Sequence, residues 1–302
     1  MRIAKDLKWA LVLSGGGARG LAHVGVLNAL AEMGVPEPSL VVGTSMGAII
    51  GGLYACGMSP GEMIHFVLEE FDITEYLDSF VFRINGPMGK VFRFGQILGS
   101  LATRTGIDSG QQIMELLEDL TGGKTFGETK MPFRCNAVDL SRGREVVISS
   151  GSIARAIRAS MSFPAFFEPL PEGDMYLVDG GLADNLPVHI ARDEGYRRIL
   201  AVDVGNFKTM EAPEFKTGAQ IVYRSMEVIM RILARHKGPR AALTIRAAHE
   251  GSAFDFSRKQ EFIALGEQVV REGVKAVTAF FSGGPGAYLA RKRYRECGIS
   301  EI

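Results

Sequence analysis

Short runs rich in β-branched residues alternate along this chain with longer stretches whose apolar side chains recur every three or four positions. Runs of the first kind, at 9–13, 40–42, 133–138, 145–148, 175–178, 198–202 and 243–245, predict strands, since side chains on a strand alternate faces. Stretches of the second kind, at 21–33, 46–55, 60–70, 111–120, 153–159, 188–194, 217–235 and 259–278, predict helices. Strands separated by helices fit an α/β fold with a mainly parallel sheet, because parallel neighbours need a crossover of helical length. The punctuation agrees. Gly34 and Gly57 fit helix C-caps, Ser59 with Glu62 a capping box, and Asn185 or Pro187 a helix start.

The stretch 72–108 breaks the pattern, with no clean period and a concentration of Phe, Gly and Arg. Such a segment predicts a surface excursion, of the kind that forms a lid when it lies beside an active site. No repeat, low-complexity tract or linker divides the chain. The expected organisation is a catalytic domain over 9–205, a helical extension over 206–282 packed on it, and a tail over 283–302.

Composition narrows the function. With 34 basic and 34 acidic residues among 302, the chain has no global attraction to nucleic acid or to an anionic bilayer. Local patches remain open, such as the Arg-Lys-Arg run at 291–293. Cys56, Cys135 and Cys297 have neither metal-type nor disulfide-framework spacing and fit a reducing, cytoplasmic compartment. The longest apolar stretch, 40–56, is interrupted by Gly43, Gly47, Gly51 and Gly52, and is too short for a span of about 20 residues. A lipid substrate would therefore be met from the water side, by peripheral membrane contact. No metal cluster, cofactor motif or nucleic-acid motif is legible, and oligomeric state is left open.

Three short motifs carry chemistry. In the first, Val12-Leu13-Ser14 runs into Gly15-Gly16-Gly17-Ala18-Arg19-Gly20 ahead of a helix. Glycines there let backbone amides face outward at a helix N-terminus, where negative charge is favoured. The string also fits a dinucleotide turn, but the next strand ends in Val42-Gly43-Thr44-Ser45 without the carboxylate that would hold a ribose. The second motif, Gly43-Thr44-Ser45-Met46-Gly47, matches the G-x-S-x-G turn that exposes a serine between strand and helix. With 37 glycines in the chain the pattern is weak alone, and its place between a buried-type strand and an apolar helix strengthens it. It follows only the second strand, too early for an α/β-hydrolase. The third, Tyr176-Leu177-Val178-Asp179-Gly180-Gly181, sets a carboxylate at a strand end. Asp-Gly alone is usually a tight turn. Together the three motifs would share one edge of a parallel sheet.

In that order the motifs resemble the signatures of the patatin-like phospholipase family. The blocks Ala159-Ser160-Met161-Ser162-Phe163-Pro164 and Asp184-Asn185-Leu186-Pro187 are similar to the family's sequence on either side of the aspartate, and a weaker likeness continues through Phe254-Asp255-Phe256. The resemblance implies a three-layer α/β/α sandwich and a Ser45–Asp179 dyad without a catalytic histidine. It also implies an oxyanion hole from the Gly16 and Gly17 amides with Arg19 steadying the loop. The expected reaction is hydrolysis of acyl esters of (lyso)phospholipids or related lipids. An acyltransferase, or a regulatory protein retaining the fold, are the alternatives. Among the five histidines, His189 is the candidate for a triad, with a helix first-turn role as the plainer reading; His23 fits a packing or helix-orienting role. Phe80, Phe82, Phe92 and Phe94, with Arg83, Lys90 and Arg93, fit either an amphipathic rim at a membrane or a packed excursion.

Overall fold

The computed structural model describes residues 3–4, 7–77, 104–206, 209–215, 217–236, 241–283 and 296–299. The Phe/Arg stretch from Phe80 to Phe94 and the 291–293 basic run lie outside them. Most of the excursion expected over 72–108 does so too.

The core is a mixed, mostly parallel sheet. In chain order its strands are β1 (Ala10–Leu13), β2 (Leu40–Gly43), β4 (Phe133–Asp139), β5 (Arg144–Ile148), β7 (Leu170–Glu172), β8 (Met175–Asp179), β9 (Ile199–Asp203), β10 (Leu243–Ala247) and β11 (Glu296–Ile299). Two further strands, β3 (Gly106–Asp108) and β6 (Ala165–Phe167), pair with each other outside it. The spatial order is β11-β10-β9-β1-β2-β4-β8-β7, with β5 also on β4. Every pair from β11 to β4 is parallel, whereas β8, β7 and β5 join antiparallel.

The central strands are apolar throughout because both faces are covered. Leu11, Leu13, Val41, Leu200 and Val202 point into the larger core. Helices α1 (Ala22–Glu32), α2 (Met46–Cys56), α4 (Gln111–Thr121), α5 (Ile153–Ser160), α8 (Lys259–Glu272) and α9 (Val274–Phe281) contribute to that core. The alternate residues Ala10, Val12, Leu40, Val42, Ile199 and Ala201 pack instead under α6 (Val188–Asp193). Side-chain alternation thus builds the three layers.

Local signals read from the sequence recur in the structure. Ser59 and Glu62 form a capping box at α3 (Pro60–His65), and Gly57 ends α2 in the left-handed conformation at φ 107°. Segment 60–70 changes from α3 to a π-helical turn at Phe66–Glu70. Segment 259–278 is two helices, divided at Gly273, where the chain leaves helical geometry at φ −83°, ψ 10°. Strands β3, β6 and β7, three residues each, are below the length at which alternation is readable, and β11, Glu-Cys-Gly-Ile, lacks the apolar run that marks β1 and β2. One of them, β11, falls within the stretch expected to be a tail. Helix α7 (Gly218–His236) completes the set, and among the described residues no helix is long and apolar enough to cross a membrane.

The sheet topology corrects one expectation. Asp179 does not come from a strand parallel to those bearing the other two motifs. Strand β4 is level with the end of β2 at Cys135 and continues to Asp139. On β4, strand β8 pairs along this overhang alone, running antiparallel, so that Asp179 stops opposite Ala137, just past the end of β2. The carboxylate reaches the same sheet edge from the opposite direction.

Candidate active site

At the end of β1 the chain turns through Gly15, Gly16 and Gly17 into a 3₁₀ turn at Gly17–Leu21 and then α1. The turn is pinned at both sides. Gly15 N–H donates to Asn185 O at 3.1 Å and Ala18 N–H to Ala253 O at 2.7 Å, while Gly16 and Gly17 between them line a cavity. Gly17 sits at φ 56°, and a Cβ there would collide with the Ala253 carbonyl, so a side chain is excluded by both strain and space. Arg19 steadies the loop, donating to Gly16 O at 3.4 Å and to Asn206 O at 3.0 Å. His23 is fully buried with Nε2 2.8 Å from Ser14 O, and burial pushes its pKa down to about 4, so the ring is neutral at pH 7. It ties α1 to the turn, in keeping with an orienting role.

At the end of β2, Ser45 adopts φ 53°, ψ −121°, a conformation non-glycine residues rarely occupy and one that costs about 1–3 kcal/mol. The strain persists because the surroundings fix it. Gly43 and Gly47 lie backbone against backbone, and Gly47 also lies against Leu13 and Ser14, where any Cβ would collide. Ser45 N–H donates to Ser160 Oγ at 3.0 Å. Next to it the Thr44 hydroxyl donates to Asn136 Oδ1 at 2.7 Å. The hydroxyl-bearing residue therefore stands at the N-terminus of α2, facing the same cavity.

At the end of β8, Asp179 is buried. Its N–H donates to Ser162 O at 3.0 Å, and its Oδ1 accepts from Gly181 N–H at 2.7 Å. Burial raises its pKa from 3.8 to about 6, against the opposing pull of the Gly181 amide and of a hydrogen-bonding contact from the Ser45 side chain. Gly180 lies against Asn136, and Gly181 against Asn185 and the Asp179 carboxylate. Gly20 lies against Met46 at the start of α2.

The residues singled out in the sequence therefore converge. Gly15, Gly16, Gly17, Arg19, Ser45 and Asp179 all line one cavity of about 230 Å³. The rest of its wall is mostly apolar and comes from distant parts of the chain: Ile49 and Leu53 on α2, Leu117 on α4, Phe163 and Phe166 after α5, and Met230 on α7. No histidine lines it among the described residues. His189 instead has Nδ1 2.9 Å from Asp184 Oδ2 and Nε2 3.5 Å from Glu145 Oε2.

Sequence reasoning missed the polar scaffold behind the site. Asn136, fully buried on β4, accepts from Thr44 and donates through Nδ2 to Glu145 Oε1 (2.8 Å), Asp184 O (2.9 Å) and Gly180 O (3.3 Å). It joins the serine turn to the aspartate loop. Ser160 and Ser162 tie α5 to Ser45 and Asp179, and Asn185 Nδ2 returns to Gly15 O at 3.2 Å. The blocks 159–164 and 184–187 were visible only as a resemblance. Asn136 gave no local signal, because its strand also carries Arg134 and Asp139 and nothing in the pattern sets it apart from them.

This is the architecture of an α/β protein with a strained serine at a strand–helix turn, faced by a buried aspartate and a glycine turn. Within that class the chain belongs to the patatin-like phospholipase family, whose model matches residues 11–192. It is 37% identical over 203 residues to lysophospholipase nte1 of Emericella nidulans, covering 65% of this chain and 12% of the relative. To lysophospholipase NTE1 of Saccharomyces cerevisiae it is 33% identical over 211 residues, covering 68% of this chain and 11% of the relative. The chain thus spans about an eighth or less of the length of these relatives. The crystal structure of VipD from Legionella pneumophila shares the fold at a TM-score of 0.50 and 18% identity, covering 88% of this chain and 68% of that one.

Proposed function

We propose that this chain is a serine hydrolase that cleaves acyl esters of (lyso)phospholipids or related lipids through a Ser45–Asp179 dyad. The reaction begins when Ser45 Oγ attacks the ester carbonyl carbon and its proton passes to Asp179. The developing oxyanion is held by the Gly16 and Gly17 amides, with Arg19 fixing that loop; one such donor is typically worth about 2.7–4 kcal/mol. Collapse of the adduct breaks the bond to the alcohol, which leaves with the proton from Asp179 and an acyl group on Ser45. Water then attacks the acyl-enzyme, giving a proton to Asp179, and the second collapse releases the fatty acid and returns that proton to Ser45.

The observation that carries this reading is the placement of Asp179, buried at its strand end in hydrogen-bonding contact with the strained Ser45. A carboxylate at its ordinary 3.8 is a poor base for a hydroxyl, and burial lifts this one to about 6 beside the strained serine. It remains mostly ionised at pH 7, and is a better proton acceptor than an exposed aspartate. The apolar wall supports a long acyl chain as the substrate part bound next to it. The relatives named as lysophospholipases favour the lipid class. The cavity is lined both by residues before 205 and by Tyr223, Met230 and Phe256, which supports a catalytic domain with the 206–282 region packed on it as one working unit.

A fluorophosphonate probe tests the nucleophile. Wild type becomes labelled at Ser45 and Ser45→Ala does not, while a lipid panel, run with and without an alcohol acceptor, separates hydrolysis from acyl transfer. Labelling that persists in Ser45→Ala removes the proposal.

A further inference from the structure

The hydrolytic chemistry uses only one side of α7. Tyr223, Glu227 and Met230 face the cavity. On the outer side Ile221 is 53% exposed, Val222 60%, Ile229 55% and Ile232 50%, with Val228 beside them. Their spacing of one, seven, eight and eleven positions after Ile221 places all five on one stripe of the helix. Single exposed apolar residues are ordinary, whereas five in one stripe form a patch of the kind that marks an interaction surface.

Two observations say what covers it. The helix that carries the stripe also walls the active-site cavity, and its cavity-facing Tyr223 packs at 5.7 Å against Phe254, which is 51% exposed, lines the cavity and stacks on Phe166 at 5.6 Å. The charge of the helix is also one-sided. Its sequence has Arg224, Arg231 and Arg235 against a single acid, Glu227, which faces the cavity and pairs with Arg224 at 2.9 Å. No acid lies among the exposed positions of the helix to repel an anionic surface.

We propose that the outer face of α7, together with Phe254, is the surface by which the protein docks on an anionic lipid bilayer, apolar side chains inserted among the acyl chains and the exposed Arg231 at the headgroups. A lipid then passes from the bilayer along Phe254 into the cavity without crossing water. The inference rests on the lipid-hydrolase reading above.

The test uses the full chain, phosphatidylcholine vesicles containing phosphatidylglycerol, and a water-soluble short-chain nitrophenyl ester. Wild type should co-sediment with the vesicles, and Val222→Glu/Ile229→Glu should do so at least about tenfold more weakly. Both should hydrolyse the soluble ester at the same rate, because neither position lines the cavity. Ile221→Trp, which adds interfacial aromatic surface, should bind more tightly, so the inference does not depend on the double variant alone. Wild type that stays in the supernatant, or a double variant that sediments like wild type, overturns the docking surface. So does light scattering that finds a wild-type dimer converted to monomer by the double substitution. Failure of wild type to hydrolyse the soluble ester counts against the hydrolase reading instead and leaves the sedimentation result standing separately.

Discussion

Replacing Asp179 by Asn should abolish turnover and at the same time make the protein more stable at neutral pH. The folded protein holds this carboxyl at about 6 against an ordinary 3.8, so folding makes the proton harder to remove. Between those two values the folded state binds more protons than the unfolded one, and stability therefore falls as pH rises. The cost is absent well below 3.8 and complete above about 6, where the interval corresponds to about 3 kcal/mol. Asparagine carries no charge, keeps an oxygen for the Gly181 N–H, and can donate to Ser45 in place of accepting from it. Urea unfolding of wild type and Asp179→Asn should thus differ by about 3 kcal/mol in the variant's favour at pH 7, shrinking to about 1 kcal/mol at pH 4.5. Taking the difference between the two proteins at each pH cancels the other titrating groups. A variant no more stable at pH 7 than wild type, or equally stabilised at both pH values, would show that burial does not destabilise this carboxylate. Ester hydrolysis at the wild-type rate would remove its catalytic role altogether.

In wild type, kcat should rise with pH through about 6, as Asp179 becomes ionised and able to accept the serine proton, and a midpoint near 4 would refute the raised value. Gly17→Ala should lower kcat by roughly 100-fold with a much smaller change in KM, since the added methyl meets the Ala253 carbonyl and displaces the oxyanion loop. Wild-type kcat in that variant would exclude the turn from transition-state binding. His189→Gln should keep soluble-ester hydrolysis within a few-fold of wild type, because that ring pairs with Asp184 and Glu145. A folded but inactive His189→Gln would replace the dyad by a triad.

Much of this molecule is encoded locally. Strands β1, β2, β4, β8 and β9, the helices between them and the caps at Ser59 and Gly57 depend on neighbours within a few residues, and so they are legible in the sequence. The same holds for Gly15–Gly17, Ser45 and Asp179, whose turn chemistry is carried by adjacent glycines. Sequence determined which residues are candidates for the site, because each motif is contiguous. Tertiary structure alone decided that β8 runs antiparallel to bring Asp179 beside Ser45, that Asn136 links the two loops, and that an apolar cavity gathers residues from Gly15 to Phe256. Pairing direction and burial are set by contacts between segments far apart in the chain. The shift of Asp179 to about 6 exists only once those segments have closed over it and excluded water.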